Sequence, residues 1–125
     1  MRLLLDTHTA LWWLGEPERL RIEARAVLED PENEVHLSAA SVWEVGIKQA
    51  AGRLRVDVPL VGAARAAGIL ELVVDWEHAQ RASELPPLHR DPFDRLLVAQ
   101  ATAEELVLLT RDSLVTQYDV ATMPA

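Results

Sequence analysis

Five acidic residues of this chain occupy positions where a carboxylate has chemical potential beyond facing solvent: Asp6, Glu44, Asp91, Asp94 and Asp112. Asp6 follows Leu3-Leu4-Leu5 directly, so a charge ends an apolar run where packing asks for none. A cap on a helix starting at Thr7 would explain it, but Thr7 is able to fill that role itself. Glu44 closes Ser41-Val42-Trp43-Glu44, which satisfies a capping box as well as a metal ligand, and both readings stand open. Asp91 precedes Pro92, the pattern of an N-cap followed by proline at the first helical position, and reads as a cap. Asp94 then falls in the first turn of an apolar helix, where it would be desolvated unless Arg90 or Arg95 pairs with it. Asp112, in Thr110-Arg111-Asp112-Ser113, suits a turn or a cap.

Taken together the acids say more than any one of them. Carboxylates gathered ~4 Å apart repel by several kcal/mol at intermediate dielectric, and a divalent cation relieves that repulsion. The chain has no cysteine, which excludes disulfides, thiolate metal sites and a cysteine nucleophile. An all-oxygen ligand set of Asp6, Glu44, Asp94 and Asp112 suits Mg²⁺ or Mn²⁺ rather than structural zinc. The histidines His8, His36, His78 and His89 show no zinc-binding spacing. His8 and His89 fall near the acids and read as substrate contacts or as caps and packing. Trp12, Trp13 and Trp43 have helical spacing and read as core, with base stacking as the other reading.

A net charge of −8 with a single lysine, Lys48, is a poor footprint for unaided nucleic-acid binding. Lys48, Arg53 and Arg55, with Arg90 and Arg95 beside Asp94, are the basic residues able to follow a phosphate backbone. Half of the residues are hydrophobic, enough for a core and against disorder. The opening run meets a charge at Asp6, too early for a signal peptide or a membrane span. A reducing cytoplasm fits the lack of cysteine.

The acids need elements that bring them to one place. Strands are expected at Arg2–Leu5, Val35–Leu37, Ile69–Val74 and Leu106–Leu109, with an edge strand in the tail Tyr118–Met123. Helices are expected at Thr7–Leu14, Leu20–Leu28, Ala39–Ala51, Pro59–Ala67, Glu77–Glu84 and Pro92–Glu104. The last is apolar nearly all round, through Leu96-Leu97-Val98-Ala99, and so is expected to be buried on several sides. Strands alternating with helices predict one α/β domain over 1–125, with a mostly parallel sheet flanked by helices. Sites in such sheets form outside the carboxyl ends of strands. Asp6, Glu44, Asp94 and Asp112 can all face that end.

These segments resemble PIN domains. Leu3-Leu4-Leu5-Asp6-Thr7-His8 is similar to their opening strand and first acid, and Ser41-Val42-Trp43-Glu44 to their second. The stretch from His89 through Asp91-Pro92-Phe93-Asp94-Arg95 to Ala101 resembles the third-acid helix of a bacterial VapC-like subgroup. Leu109-Thr110-Arg111-Asp112 resembles the fourth acidic segment, and Thr110 reads as a hydrogen-bond partner of a metal-bound water or a carboxylate, or as a residue holding the turn. His8 departs from the asparagine or serine that many members carry there. The resemblance implies a PIN-like three-layer sandwich and a Mg²⁺- or Mn²⁺-dependent endoribonuclease leaving 5′-phosphate and 3′-hydroxyl ends. It also implies a homodimer, neutralised by a VapB-type antitoxin in a heterotetramer or larger assembly that meets operator DNA through the antitoxin.

The other readings are a solitary PIN-like nuclease, a receiver-like Mg²⁺-binding signalling domain, a sugar-phosphate phosphatase and a degenerate PIN-like protein-binding domain. A receiver would want paired acids after the first strand and a late lysine, yet the only lysine is Lys48. A phosphatase of the haloacid-dehalogenase type would want Asp-x-Asp where this chain has Asp6-Thr7-His8. Retention of all four acids weighs against a degenerate domain.

Overall fold

Successive leucines in β1 (Arg2–Leu5) point to opposite faces of a sheet, and Leu3, Leu4 and Leu5 are all fully buried. Only a strand covered on both sides permits that. The computed structural model describes residues 1–125 and places β1 at the centre of a five-stranded sheet. Its other strands are β2 (Glu34–Ser38), β3 (Leu70–Leu72), β4 (Val107–Thr110) and β5 (Thr122–Pro124). They lie in the order β3-β2-β1-β4-β5, and every pair is parallel.

Helices α1 (Thr7–Gly15), α2 (Ile22–Glu29), α3 (Ala39–Ala50), α4 (Leu60–Ala66), α5 (Trp76–Glu84) and α6 (Pro92–Glu104) complete the layers. Leu3 and Leu5 pack with Ala10 of α1, Ala24 and Leu28 of α2, Val45 of α3 and Leu60 and Ala64 of α4. Leu4 and Leu108 pack on the other side with Leu97, Val98 and Ala101 of α6, together with Val115 and Tyr118. No helix is long and apolar enough to cross a membrane.

The strand order reverses at β1, and most departures from expectation lie at the edges of the sheet. The predicted strand over Ile69–Val74 shrinks to Leu70–Leu72, because Val73 and Val74 are exposed past the sheet edge. The tail strand pairs at Thr122–Pro124, later than expected. Tyr118 is instead buried, with its hydroxyl accepting from His89 N and donating to Pro86 O. Proline at 124 is tolerated because β5 pairs only with β4 and borders no further strand. Helix α2 starts at Ile22 rather than Leu20, since Pro17–Arg19 forms its own turn of 3₁₀ helix.

Candidate active site

Each chain crossover departs from the carboxyl end of a strand, and that end collects the acids. Asp6 ends β1 and caps α1, its Oδ1 accepting from Thr9 N at 2.8 Å. Its Oδ2 accepts from Thr110 Oγ1 at 2.5 Å, so the last residue of β4 orients the carboxylate that ends β1. With Asp6 capping, Thr7 is released from the role its sequence position suggested. Thr7 Oγ1 donates to Glu44 Oε1 at 2.6 Å and lies 2.9 Å from Ser41 Oγ.

The capping box at Ser41-Val42-Trp43-Glu44 does not form. The cap of α3 is Ser38, which accepts from Ala40 N, and this puts Ser41 and Glu44 inside the helix. Glu44 is 3% exposed and needs partners there. It has Thr7 on one oxygen and Lys48 Nζ, one helical turn on, at 2.5 Å from the other. Asp91 does cap α6, accepting from Phe93 N at 2.8 Å and Asp94 N at 3.3 Å.

Neither Arg90 nor Arg95 pairs with Asp94. The partner is His89, whose Nε2 lies 3.1 Å from Asp94 Oδ2 and 2.9 Å from Asp112 Oδ2. Its other nitrogen accepts from Asp91 N at 3.1 Å, which orients the ring. Burial opposes charge on this imidazole. The hydrogen bond to Asp112 and the charges of Asp94, Asp112 and Asp91 outweigh it and raise the pKa above its usual value. Burial, then repulsion from Asp91, pushes Asp94 up to about 7, with Glu44 and Asp112 adding to the effect and His89 opposing it. For Asp112 burial pushes upward too, but the hydrogen bonds from His89 and from Leu114 N carry it below the usual carboxylate range.

Asp6, Thr7, Glu44, Lys48, Asp91, Asp94 and Asp112 line one open cavity of about 270 Å³, with His8, Trp12 and Arg111 at its walls. Two acids that share one imidazole, a third that ends β1 and a buried fourth form a surplus of oxygen donors around one space. That donor set fits Mg²⁺ or Mn²⁺, with His89 standing between the two carboxylates where a cation would go. Asp6, Glu44, Asp94 and Asp112 all line that space; Asp6 and Glu44 each have both oxygens bonded within the chain, and Glu44 alone has a lysine on one of them.

The chain matches the PIN domain family model over residues 3–121. The chain belongs to the PIN-domain family. Within it the likeness is to VapC proteins: Ribonuclease VapC22 of Mycobacterium tuberculosis is 31% identical over 118 residues, which cover 88% of this chain and 86% of that one. A chain of the DNA-bound VapBC complex from Salmonella typhimurium superposes with a TM-score of 0.71 at 12% identity, covering 99% of this chain and 98% of that chain. A chain of VapBC2 from Rickettsia felis, bound to a promoter DNA fragment, gives 0.69 at 12% identity with the same coverage. At that identity the likeness is one of fold.

Other residues of this PIN domain depart from expectation. Arg95 is not available to a phosphate backbone: its guanidinium donates to the carbonyls of Ala82, Leu85 and Pro86 and reaches Tyr118 Oη. Lys48 is bound to Glu44. Arg55 lies on exposed Asp57, while Arg53 and Arg90 are exposed without an ion pair. Trp43 is not core but 67% exposed, edge-on to Phe93 at 5.7 Å. Trp12 and Trp13 are partly buried against the core as expected. His8 is exposed, tilted against Trp12 at 5.9 Å. His89 is more central than its sequence context implied; its place just ahead of Asp91-Pro92 was the available signal. Nothing in the sequence singled out Arg111 as a wall of the cavity, although it stands between Thr110 and Asp112.

Proposed function

We propose that this PIN domain is a metal-dependent endoribonuclease, the toxin of a toxin–antitoxin pair, cutting RNA by hydrolysis of a phosphodiester bond. The observation that carries the reading is the convergence of Asp6, Glu44, Asp94 and Asp112 on one cavity. The likeness to a VapC ribonuclease supports RNA as the substrate. A bound Mg²⁺ or Mn²⁺ would supply activation of water near neutral pH and neutralise the scissile phosphate.

The chain's own residues do the positioning. Asp6, Asp94 and Asp112 would hold the ion. Thr110 and the Thr9 N–H keep Asp6 in one orientation, so its affinity is not diluted by rotamer freedom. Glu44, steadied by Thr7 and Lys48, would help orient the attacking water. His89, which bridges Asp94 and Asp112 in the metal-free chain, would yield that place to the ion. Purified protein, stripped of any partner, is expected to cut structured RNA with Mg²⁺ or Mn²⁺ and to stop in EDTA. Cleavage undiminished by EDTA would rule the mechanism out.

The inhibitor in this reading is a basic antitoxin segment whose arginine or lysine enters the acid cavity. Lys48 on Glu44 is an internal instance of the same pairing. Exposed apolar side chains, with Trp43 at 67% and Trp76 at 94%, favour a protein that works covered by others, as a homodimer and with its antitoxin. Operator DNA would be met only through the antitoxin. The cytoplasm, where RNA is abundant, is the compartment this activity requires.

A further inference from the structure

Outside the acid cavity the molecule has a second concavity of opposite character. A groove of about 630 Å³ runs along the carboxyl ends of β4 and β5, lined by Arg19, Arg21, Arg111, Ser113, Thr116 and Thr122 among others. No Asp or Glu side chain lines it, in a chain with 20 acidic residues and only 12 lysines and arginines. The groove and the acid cavity share a wall, because Arg111 lines both.

Arg111 is held as a fixed cation. Its Nη2 donates to Arg19 O at 2.7 Å and to Ala125 O at 2.9 Å, its Nε lies 3.3 Å from Ala125 O, and its guanidinium stacks 4.3 Å above the Trp12 ring. These bonds use Nη2 and Nε and leave Nη1 without a partner, on a side chain that lines both cavities. Arg19 meets only exposed Glu16 at 3.6 Å and the Trp12 ring at 5.8 Å, and Arg21 is exposed and pairs with no carboxylate. Guanidinium groups flanked by hydroxyls are the donors that phosphate oxygens take.

We infer that this groove is the track for the RNA backbone on one side of the cleavage point, with Arg111 on the phosphate next to the scissile one and Arg19 and Arg21 on those beyond. The inference rests on the ribonuclease reading and adds to it where the substrate lies. It also resolves how a chain of net charge −8 approaches a polyanion: the positive field is local, and it leads to the acids. The basic residues the sequence offered for this task include Lys48 and Arg95, and both are committed elsewhere.

The test is binding of a fluorescein-labelled single-stranded RNA of mixed sequence to the full chain carrying Asp94→Asn, followed by anisotropy across a salt series. Adding Arg19→Glu and Arg21→Glu is expected to weaken binding roughly tenfold or more. It should also lower the slope of log affinity against log salt by about 0.7 for each phosphate that is no longer neutralised. Arg65→Glu with Arg81→Glu makes the same charge change away from the groove and is expected to leave the slope unchanged. Equal losses from both pairs, or no loss from the first, would overturn the track. A groove variant that keeps its RNA affinity but no longer binds the antitoxin overturns it too, and assigns the groove to an acidic protein segment. Wild-type protein that cuts no RNA with Mg²⁺ or Mn²⁺ brings down the function and the track together. Unchanged binding by the groove variant, with wild-type cleavage by Arg19→Glu plus Arg21→Glu in a chain that keeps Asp94, brings down the track alone.

Discussion

Asp94 shows how much of this site is electrostatic tension rather than packing. Its carboxyl is pushed up to about 7 from 3.8 by burial and by Asp91, Glu44 and Asp112. The folded chain therefore keeps a proton that the unfolded chain has lost above pH ~4. That protonation stabilises the metal-free fold fully below pH ~4, and its contribution is lost as the pH rises through the folded value. Asparagine carries no charge to repel. Asp94→Asn is expected to raise the melting temperature in EDTA at pH 8, a gain in stability on the order of 1–2 kcal/mol after solvent screening. The gain should shrink by pH 5, and RNA cleavage should be lost throughout. Thermal melts of both proteins at the two pH values check this; a gain that is equal at both would refute the repulsion argument. Asp6→Asn is expected to abolish cleavage as well, with circular dichroism unchanged.

At the level of elements, the entry to α6 carries two residues whose roles separate cleanly. Asp91 holds the helix N-terminus through Phe93 N and Asp94 N. Asp91→Asn keeps a good cap and is expected to retain most activity and stability, whereas Asp91→Ala should cost about 1 kcal/mol. Loss of cleavage in Asp91→Asn with activity retained in Asp94→Asn would exchange their roles. Arg95 ties the end of α5 and the Pro86 turn to α6 through three carbonyls. Arg95→Ala removes the side-chain donor of Ala82 O and Leu85 O, while Pro86 O keeps Tyr118 Oη, and is expected to destabilise by on the order of 2 kcal/mol in denaturant melts. At a temperature where the variant is folded, its affinity for RNA should match that of wild type. A selective loss of RNA affinity would return Arg95 to the substrate.

At the scale of the molecule, the proposed sites for metal, RNA and antitoxin meet at one end of the sheet, so their binding must be linked. An antitoxin guanidinium in the acid cavity satisfies the charge that metal would otherwise neutralise. Metal is then expected to weaken the antitoxin segment by the same factor by which the segment weakens metal. Calorimetric titrations of Mn²⁺ with and without the segment read both sides of that cycle. If the two bind independently, and replacing the segment's basic residues leaves inhibition unchanged, the antitoxin covers the RNA path without entering the acids.

What the chain's own pattern determined was the alternation of elements and the identity of the acids. Leu3-Leu4-Leu5 had to be a doubly covered strand, and Pro92–Glu104 a buried helix, because period and apolarity are local properties that survive without knowledge of neighbours. The gathering of Asp6, Glu44, Asp94 and Asp112 at one sheet end followed from where strands end. What only the tertiary structure decided was pairing. The strand order β3-β2-β1-β4-β5 places β4 beside β1, and only then can Thr110 reach Asp6 across 104 residues of chain. Which side chain caps a helix depends on such pairings: Thr7 gave up its cap to Asp6 because Glu44 was buried beside it and needed a donor. The same holds for the cations. Arg95, Lys48 and Arg111 look alike as letters, yet nearby carbonyls, a buried carboxylate and an indole ring sort them into a clamp, a counter-ion and a fixed charge facing a groove.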